Sequence, residues 1–191
     1  DRGYGPGMAD MAVELLPSDP QWLVRFAEQR DRVSAVLARR LAAPVEHVGS
    51  TAVPGLRAKP VVDMLAPVVS LGSPAEREAM VAALSADGWR YWPDDPRGQS
   101  RLWFLRPSPE ARTHHLHVVE HRSPRARALL AFRDALRREP ALAEAYQQLK
   151  SRLAVEHPHN RNAYTNGKAA FVADVLAAAG ITGAEPEQLI E

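Results

Sequence analysis

The chain has 191 residues, 46% of them hydrophobic and 25% charged, with 24 basic against 23 acidic side chains and no cysteine. This length and balance describe a globular protein with a core of its own, one domain or one domain with an attached helical part, and exclude a disordered or collagen-like chain. The absence of cysteine excludes thiol nucleophiles, thiolate metal sites and disulfide scaffolds, and a net charge of +1 gives no general pull toward nucleic acid or membrane, so function has to come from a local site.

The opening residues Asp1 to Gly7 show no periodicity and read as the remnant of a tag, with translation expected to begin at Met8. No window of 18 apolar residues and no secretory leader is visible, so a cytoplasmic protein is expected. Ser18-Asp19-Pro20 is a helix start, with Ser or Asp as cap and Pro in the first turn. Trp22, Phe26, Val33, Val36, Leu37 and Leu41 then recur at helical spacing, which predicts one helix to about residue 42, stopped by Pro44. Residues 45–48 are β-prone and run into Gly49-Ser50-Thr51. The segment 60–69 is apolar on both alternations except at Asp63, as a central strand covered on both faces requires. A lone carboxylate in such a strand is costly unless it has a task.

Ser73-Pro74 opens a second helix that Gly88 closes near residue 87. Strands over 89–92 and 101–106 flank a Pro/Asp/Gly loop at 93–100. Over 113–121 the chain alternates, with His115, His117, Val119 and His121 on one face and His114, Leu116, Val118 and Glu120 on the other. Three helical blocks follow at 124–138, 140–156 and 160–179, separated at Pro140 and at the His157-Pro158-His159-Asn160 break. The expected fold class is α/β (α+β): a mixed sheet flanked by helices with a C-terminal helical extension. The expected organisation is an αβ core over 8–122, a helical portion of the same domain over 123–182 and a tail over 183–191.

A strand that ends in Gly49-Ser50 and opens a short helix presents N–H groups and a hydroxyl at a positive helix terminus, which suits a phosphate. A tight turn with an N-cap fits the same residues. On the next β element, Asp63 is near enough to hold a divalent cation on that phosphate. His115 and His117 share a strand face at a spacing suited to a metal through imidazole nitrogen. If their strand lies beside that of Asp63, the three form a two-histidine, one-carboxylate site, which His47 could join. The alternative is that one or two of these histidines are solvated or satisfy buried backbone groups, and His114 and His121 read as surface or edge residues.

Of the 24 basic residues only Lys59, Lys150 and Lys168 are lysine, so each departs from the chain's habit. Lys168 shares a helical face with Tyr164, Phe171, Val172 and Val175, from which it could reach a phosphate or carboxylate in a cleft or carry its ammonium past a core edge. Lys59 stands beside Pro60, near the Gly-Ser turn, where a phosphate contact and an ion pair with an acid such as Glu46 fit equally. Arg122, Arg125 and Arg127 at the start of a helix allow an anion contact or a solvated basic face.

The run Val45-Glu46-His47-Val48-Gly49-Ser50-Thr51-Ala52-Val53-Pro54-Gly55-Leu56-Arg57-Ala58-Lys59-Pro60-Val61-Val62-Asp63 closely resembles the signature of the GrpB family, within the nucleotidyltransferase-like superfamily. His115-Leu116-His117-Val118, Phe132-Arg133-Asp134, Pro140, Tyr146, Tyr164, Lys168, Phe171 and Val172 extend the resemblance over residues 13 to 178. It implies a nucleotidyltransferase-like αβ core with a helical C-terminal portion, and a domain also found fused to dephospho-CoA kinase. It implies further that the Gly-Ser turn holds nucleotide phosphates and that an Asp-x-Asp or Asp-x-Glu pair binds metal. Gly49, Ser50 and Asp63 match, whereas position 65 is Leu, so the second carboxylate of that pair is missing. The expected ligand is a nucleotide or phosphorylated small molecule, held by Gly49, Ser50 and Thr51 with Lys59 or Lys168 neutralising charge. Asp63, catalytic in this reading, would hold Mg, Mn or Zn with His115 and His117, and the reaction class would be nucleotidyl transfer. The alternative is a non-catalytic module that binds a ligand or a partner enzyme; neither membrane nor nucleic acid is an expected partner.

Overall fold

Along the chain, helix α1 (Gln21–Val36) is followed by strand β1 (Glu46–Val48), a single 3₁₀ turn (Ser50–Ala52), β2 (Val62–Val68), α2 (Pro74–Ala86), β3 (Arg90–Tyr91), β4 (Leu102–Arg106) and β5 (His114–Glu120). Helices α3 (Pro124–Arg138), α4 (Pro140–Glu156), α5 (Arg161–Asn166) and α6 (Ala169–Ala178) complete it. This computed structural model describes residues 12–95 and 98–181; the expectations for the opening segment and for the tail beyond residue 182 lie outside the described residues. The fold is the mixed α/β architecture that the pattern predicts. One five-stranded sheet runs in the order β1-β2-β5-β4-β3, parallel between β2 and β5 and antiparallel at its other pairings.

The two faces of the sheet follow from the alternation along β2. Val62, Met64, Ala66 and Val68 point to one side with Leu102, Phe104, Leu116 and Val118, and are covered by Trp22, Val33 and Leu37 from the first helical region and Met80 and Leu84 from α2. Leu65 points to the other side with Val48 and Val119, beneath Ala126 and Leu129 of α3. Burial on both faces explains why β2 reads as a near-continuous apolar run. Caps are supplied largely where expected: Asp19 accepts from Gln21 N at 2.9 Å, and Ser73, Ser123 and Asn160 each accept from the backbone N–H three residues on.

Three expectations need correction. Helix α1 ends at Val36 rather than near 42, because the next segment is drawn onto the edge of β2: Ala42 N donates to Pro67 O and Val69 N to Arg40 O, each at 2.9 Å, and Leu41 bridges Val68. The strand expected over 89–92 is reduced to Arg90–Tyr91. The third helical block divides into α5 and α6 at Gly167-Lys168, where Gly167 lies so close to Leu153 that a Cβ would not fit.

Candidate functional site

Val48 and Asp63 are partners in the β1–β2 ladder, so the turn that follows β1 folds back over Asp63. Gly49 makes that turn at φ +71, and its missing side chain is what admits the carboxylate, since a Cβ there would collide with Asp63 Oδ2. The other oxygen, Oδ1, accepts a hydrogen bond of 2.9 Å from His115 Nδ1, its partner across the parallel β2–β5 pair. Thr51 turns its hydroxyl to Val61 O at 3.3 Å and to His47 Nε2 at 2.9 Å.

His47 itself does not join the group. Its register partner is Met64, one position on from Asp63, which sends its ring to the opposite face, stacked on Phe26 at 4.7 Å. Burial there lowers its pKa to about 4.

Two adjoining cavities meet at the turn. One, of about 70 Å³, is lined by Gly49, Ser50, Asp63, His117, Tyr146 and Lys168 among others. The second, of about 40 Å³, shares Ser50, Asp63 and Lys168 and adds Thr51, Lys59, Lys150 and Tyr164. All three lysines of the chain therefore line one place. The ammonium groups of Lys168 and Lys59 stand 4.8 Å and 5.4 Å from the Tyr164 ring centroid. Lys59 is held well below the usual lysine range by burial and by the neighbouring Arg161 and Lys168. The acid suggested for it, Glu46, instead pairs with Arg133 at 2.7 Å.

Lys150 was not foreseen as a site residue. It reaches in from α4, donating to Ser50 Oγ at 3.2 Å and to the Arg57 carbonyl, and burial followed by Lys168 lowers its pKa to about 7. A signal existed: a rare lysine on the buried face of a helix, one turn from Tyr146 and Leu153.

Asp63, His115 and His117 come together as expected, with one ligand-type atom from each within 4.8 Å of the others. The register Asp63↔His115 and Leu65↔His117 produces this. Hydrogen bonds already engage several of their atoms. Besides the Asp63–His115 bond, Arg101 donates from Nη1 to His117 Nδ1 at 2.8 Å. Arg101 is wholly buried, paired with Asp95 at 2.6 Å and 3.1 Å and stacked on Trp103 at 4.7 Å. Neither Arg101 nor Asp95 stood out in the sequence, because an arginine at a strand start and an aspartate in a Pro/Asp/Gly loop look like solvated residues. Leu65, where a second metal carboxylate would be, is fully buried beneath α3.

His114 is not a surface residue: it is buried edge-on to Trp89, bonded to Thr113 Oγ1 at 2.8 Å, and burial lowers its pKa to about 4. The basic start of α3 is divided too, with Arg122 and Arg127 exposed and Arg125 buried.

A mixed sheet between helical layers, with a small polar cavity bordered by a Gly-Ser turn, a mid-strand Asp and the helices after β5, defines an α/β protein. The GrpB protein family matches residues 12–178, and the chain belongs to that family. A UPF0157 protein of Pseudomonas aeruginosa is 40% identical over 173 residues, covering 87% of this chain and 67% of the relative. The UPF0157 protein YqkA of Bacillus subtilis is 33% identical over 156 residues, covering 82% of this chain and 44% of its own length, so the chain spans less than half of that relative. The crystal structure of the conserved protein GrpB from Enterococcus faecalis matches with a TM-score of 0.75 at 30% identity, over 87% of this chain and 96% of that one. A chain from the structure of a GLD-2/RNP-8 complex matches at TM-score 0.52 and 11% identity, over 82% and 60%, a likeness of fold alone. Among the described residues no helix is long and apolar enough to cross a membrane.

Proposed function

We propose that the protein binds a nucleotide or another phosphorylated small molecule, with a phosphate seated on the Gly49–Ser50 turn. The observation that carries this reading is the convergence of Lys59, Lys150 and Lys168, the chain's only lysines, on the cavity around Ser50 and Asp63. An ammonium is costly to bury, and Lys150 makes its hydrogen bonds to two neutral oxygens, so a phosphate would add the charge that its burial lacks. Cavities of about 70 and 40 Å³ suit a phosphoryl group, whereas a whole drug-sized ligand needs roughly 300 Å³ or more. The remainder of the ligand would lie along Val48, Leu129, Phe132 and Val172, the apolar part of the larger cavity's wall.

This arrangement is what a nucleotidyltransferase-like ancestry supports at the Gly-Ser turn. Two-metal nucleotidyl transfer needs several anionic oxygens to hold its cations, and with Leu65 buried this strand offers Asp63 alone. That observation favours the second reading, a ligand-binding module without transferase chemistry. Thermal unfolding with ATP, CTP, GTP, UTP and CoA precursors tests both. A true ligand at a hundredfold excess over its Kd adds about 2.7 kcal/mol of stability, and Lys150→Met should reduce that gain. No stabilisation by any phosphorylated compound would overturn the proposal, and release of pyrophosphate from a nucleotide would restore the transferase reading.

A further inference from the structure

We infer that this site takes its phosphate as a metal-free anion, with His117 as an N–H donor that Arg101 and Asp95 hold in that role. The inference rests on the phosphate-binding reading above and departs from the metal that the superfamily resemblance implies. A guanidinium has only N–H groups to offer, so in the Arg101–His117 contact the imidazole Nδ1 must be the acceptor. A neutral imidazole that accepts at Nδ1 carries its hydrogen on Nε2 and has no lone pair left for a cation. Metal-ligating histidines show the reverse arrangement: their second nitrogen donates to a carboxylate or carbonyl, which fixes the lone pair toward the metal.

The arrangement is not easily reversed. Arg101 is fully buried and forked onto both oxygens of a buried Asp95, and it lies over the Trp103 ring, so the donor behind His117 is fixed by an ion pair inside the protein. His115, whose Nδ1 donates to Asp63 Oδ1, keeps the tautomer of a ligating histidine, but with His117 turned into a donor it and Asp63, the single carboxylate of the group, are all that the group has left for a cation. A hard cation such as Mg²⁺ wants several oxygen ligands in a regular shell, which one carboxylate beside a buried leucine does not supply. The positive charge that a metal would bring to a phosphate can come instead from the three lysines that line the site, whose protonated forms an anion would favour. His117 lines the same cavity as Gly49, Ser50 and Lys168, so its Nε2–H adds a neutral donor to that set.

Two measurements decide this. Long-range ¹⁵N–¹H NMR of the histidine rings in the unliganded protein should show His117 as the Nε2–H tautomer, and an Nδ1–H ring would overturn the inference whatever binds. Calorimetry with ATP and with inorganic triphosphate should show binding in EDTA that Mg²⁺, Mn²⁺ or Zn²⁺ does not strengthen, since each cation chelates the polyphosphate and competes for it. His117→Gln, whose amide keeps an N–H, should retain binding, and His117→Phe should lose about tenfold or more. Binding that appears only with a metal overturns the inference and leaves the phosphate reading standing; no binding with or without metal overturns both. Arg101→Gln, or Asp95→Asn where the first variant does not fold, should spread the His117 hydrogen over both nitrogens. A folded variant that keeps the Nε2–H tautomer would remove the positioning role of the Arg101–Asp95 pair.

Discussion

Asp63 can approach the turn because residue 49 has neither a Cβ nor an objection to φ +71, and Gly49→Ala loses both conditions. With φ +71 and ψ −171 the backbone there lies in a region essentially reserved for glycine, which costs an alanine about 1–3 kcal/mol, and the collision with Asp63 adds to it. The expected outcome is a lower Tm together with weakened ATP binding, the second read by calorimetry at a temperature where the variant is folded. Lys150 behaves differently. Its pKa near 7 means that the folded state binds the proton less tightly than the unfolded chain, whose lysine stays charged to about 10.5. Stability from this group therefore rises with pH between those values, while attraction for an anion falls as the ammonium is lost. Lys150→Met should accordingly melt no lower than the parent at pH 6 and yet bind ATP more weakly, with a flatter pH profile above 7. A purely structural lysine would lower Tm on removal and leave binding alone. At this scale Gly49, Ser50, Asp63 and the two histidines were legible because turn chemistry and a lone carboxylate in an apolar strand break local rules. Lys150 carried only its rarity and its place on a buried helix face as a sign, and because its partner Ser50 lies 100 residues away the site it enters could not be read locally.

The helix that follows β5 decides what chemistry the strand beneath it can carry. By packing Ala126 and Leu129 over Leu65, α3 seals the position where a second carboxylate would stand. Leu65→Asp, far from restoring a metal pair, should bury an uncompensated charge and cost roughly 3–5 kcal/mol, read as a loss of denaturation midpoint with no gain in Mn²⁺ binding. The cap at the head of α2 is a milder case: Ser73→Ala removes a bond to Glu76 N and should cost about 1 kcal/mol without touching the site. Most elements could be placed from periodicity and caps. The exceptions share one cause, tertiary pairing that overrides the local pattern. Leu41 sits at helical spacing yet bridges Val68, and the third helical block breaks at Gly167-Lys168, where Gly167 packs closely against Leu153.

For the whole molecule, periodicity could deliver the strands but not their order. The parallel pairing of β2 with β5, which places Asp63 against His115, joins segments 52 residues apart, and the sequence offered it only as a condition for the site. That same topology buries His47 and His114 as neutral rings on the sheet, each with a pKa near 4. Because the unfolded chain protonates these groups near 6.5, it binds protons that the native state refuses between pH 6.5 and 4. Stability present at neutral pH is lost as pH falls through that window, by about 3 kcal/mol for each ring as an upper figure. Unfolding curves across this range should steepen the loss for the parent protein and flatten it for His47→Gln.

Gathering every lysine at one cavity also makes the protein's amine reactivity topographic. Trypsin meets arginines over much of the surface, but a protease that cleaves only after lysine has three targets, all lining the same cleft. Its cutting rate on the native chain would report how often the helical layer lifts from the Gly-Ser turn. Reductive ¹³C-methylation would in turn place every side-chain label where a ligand should be felt.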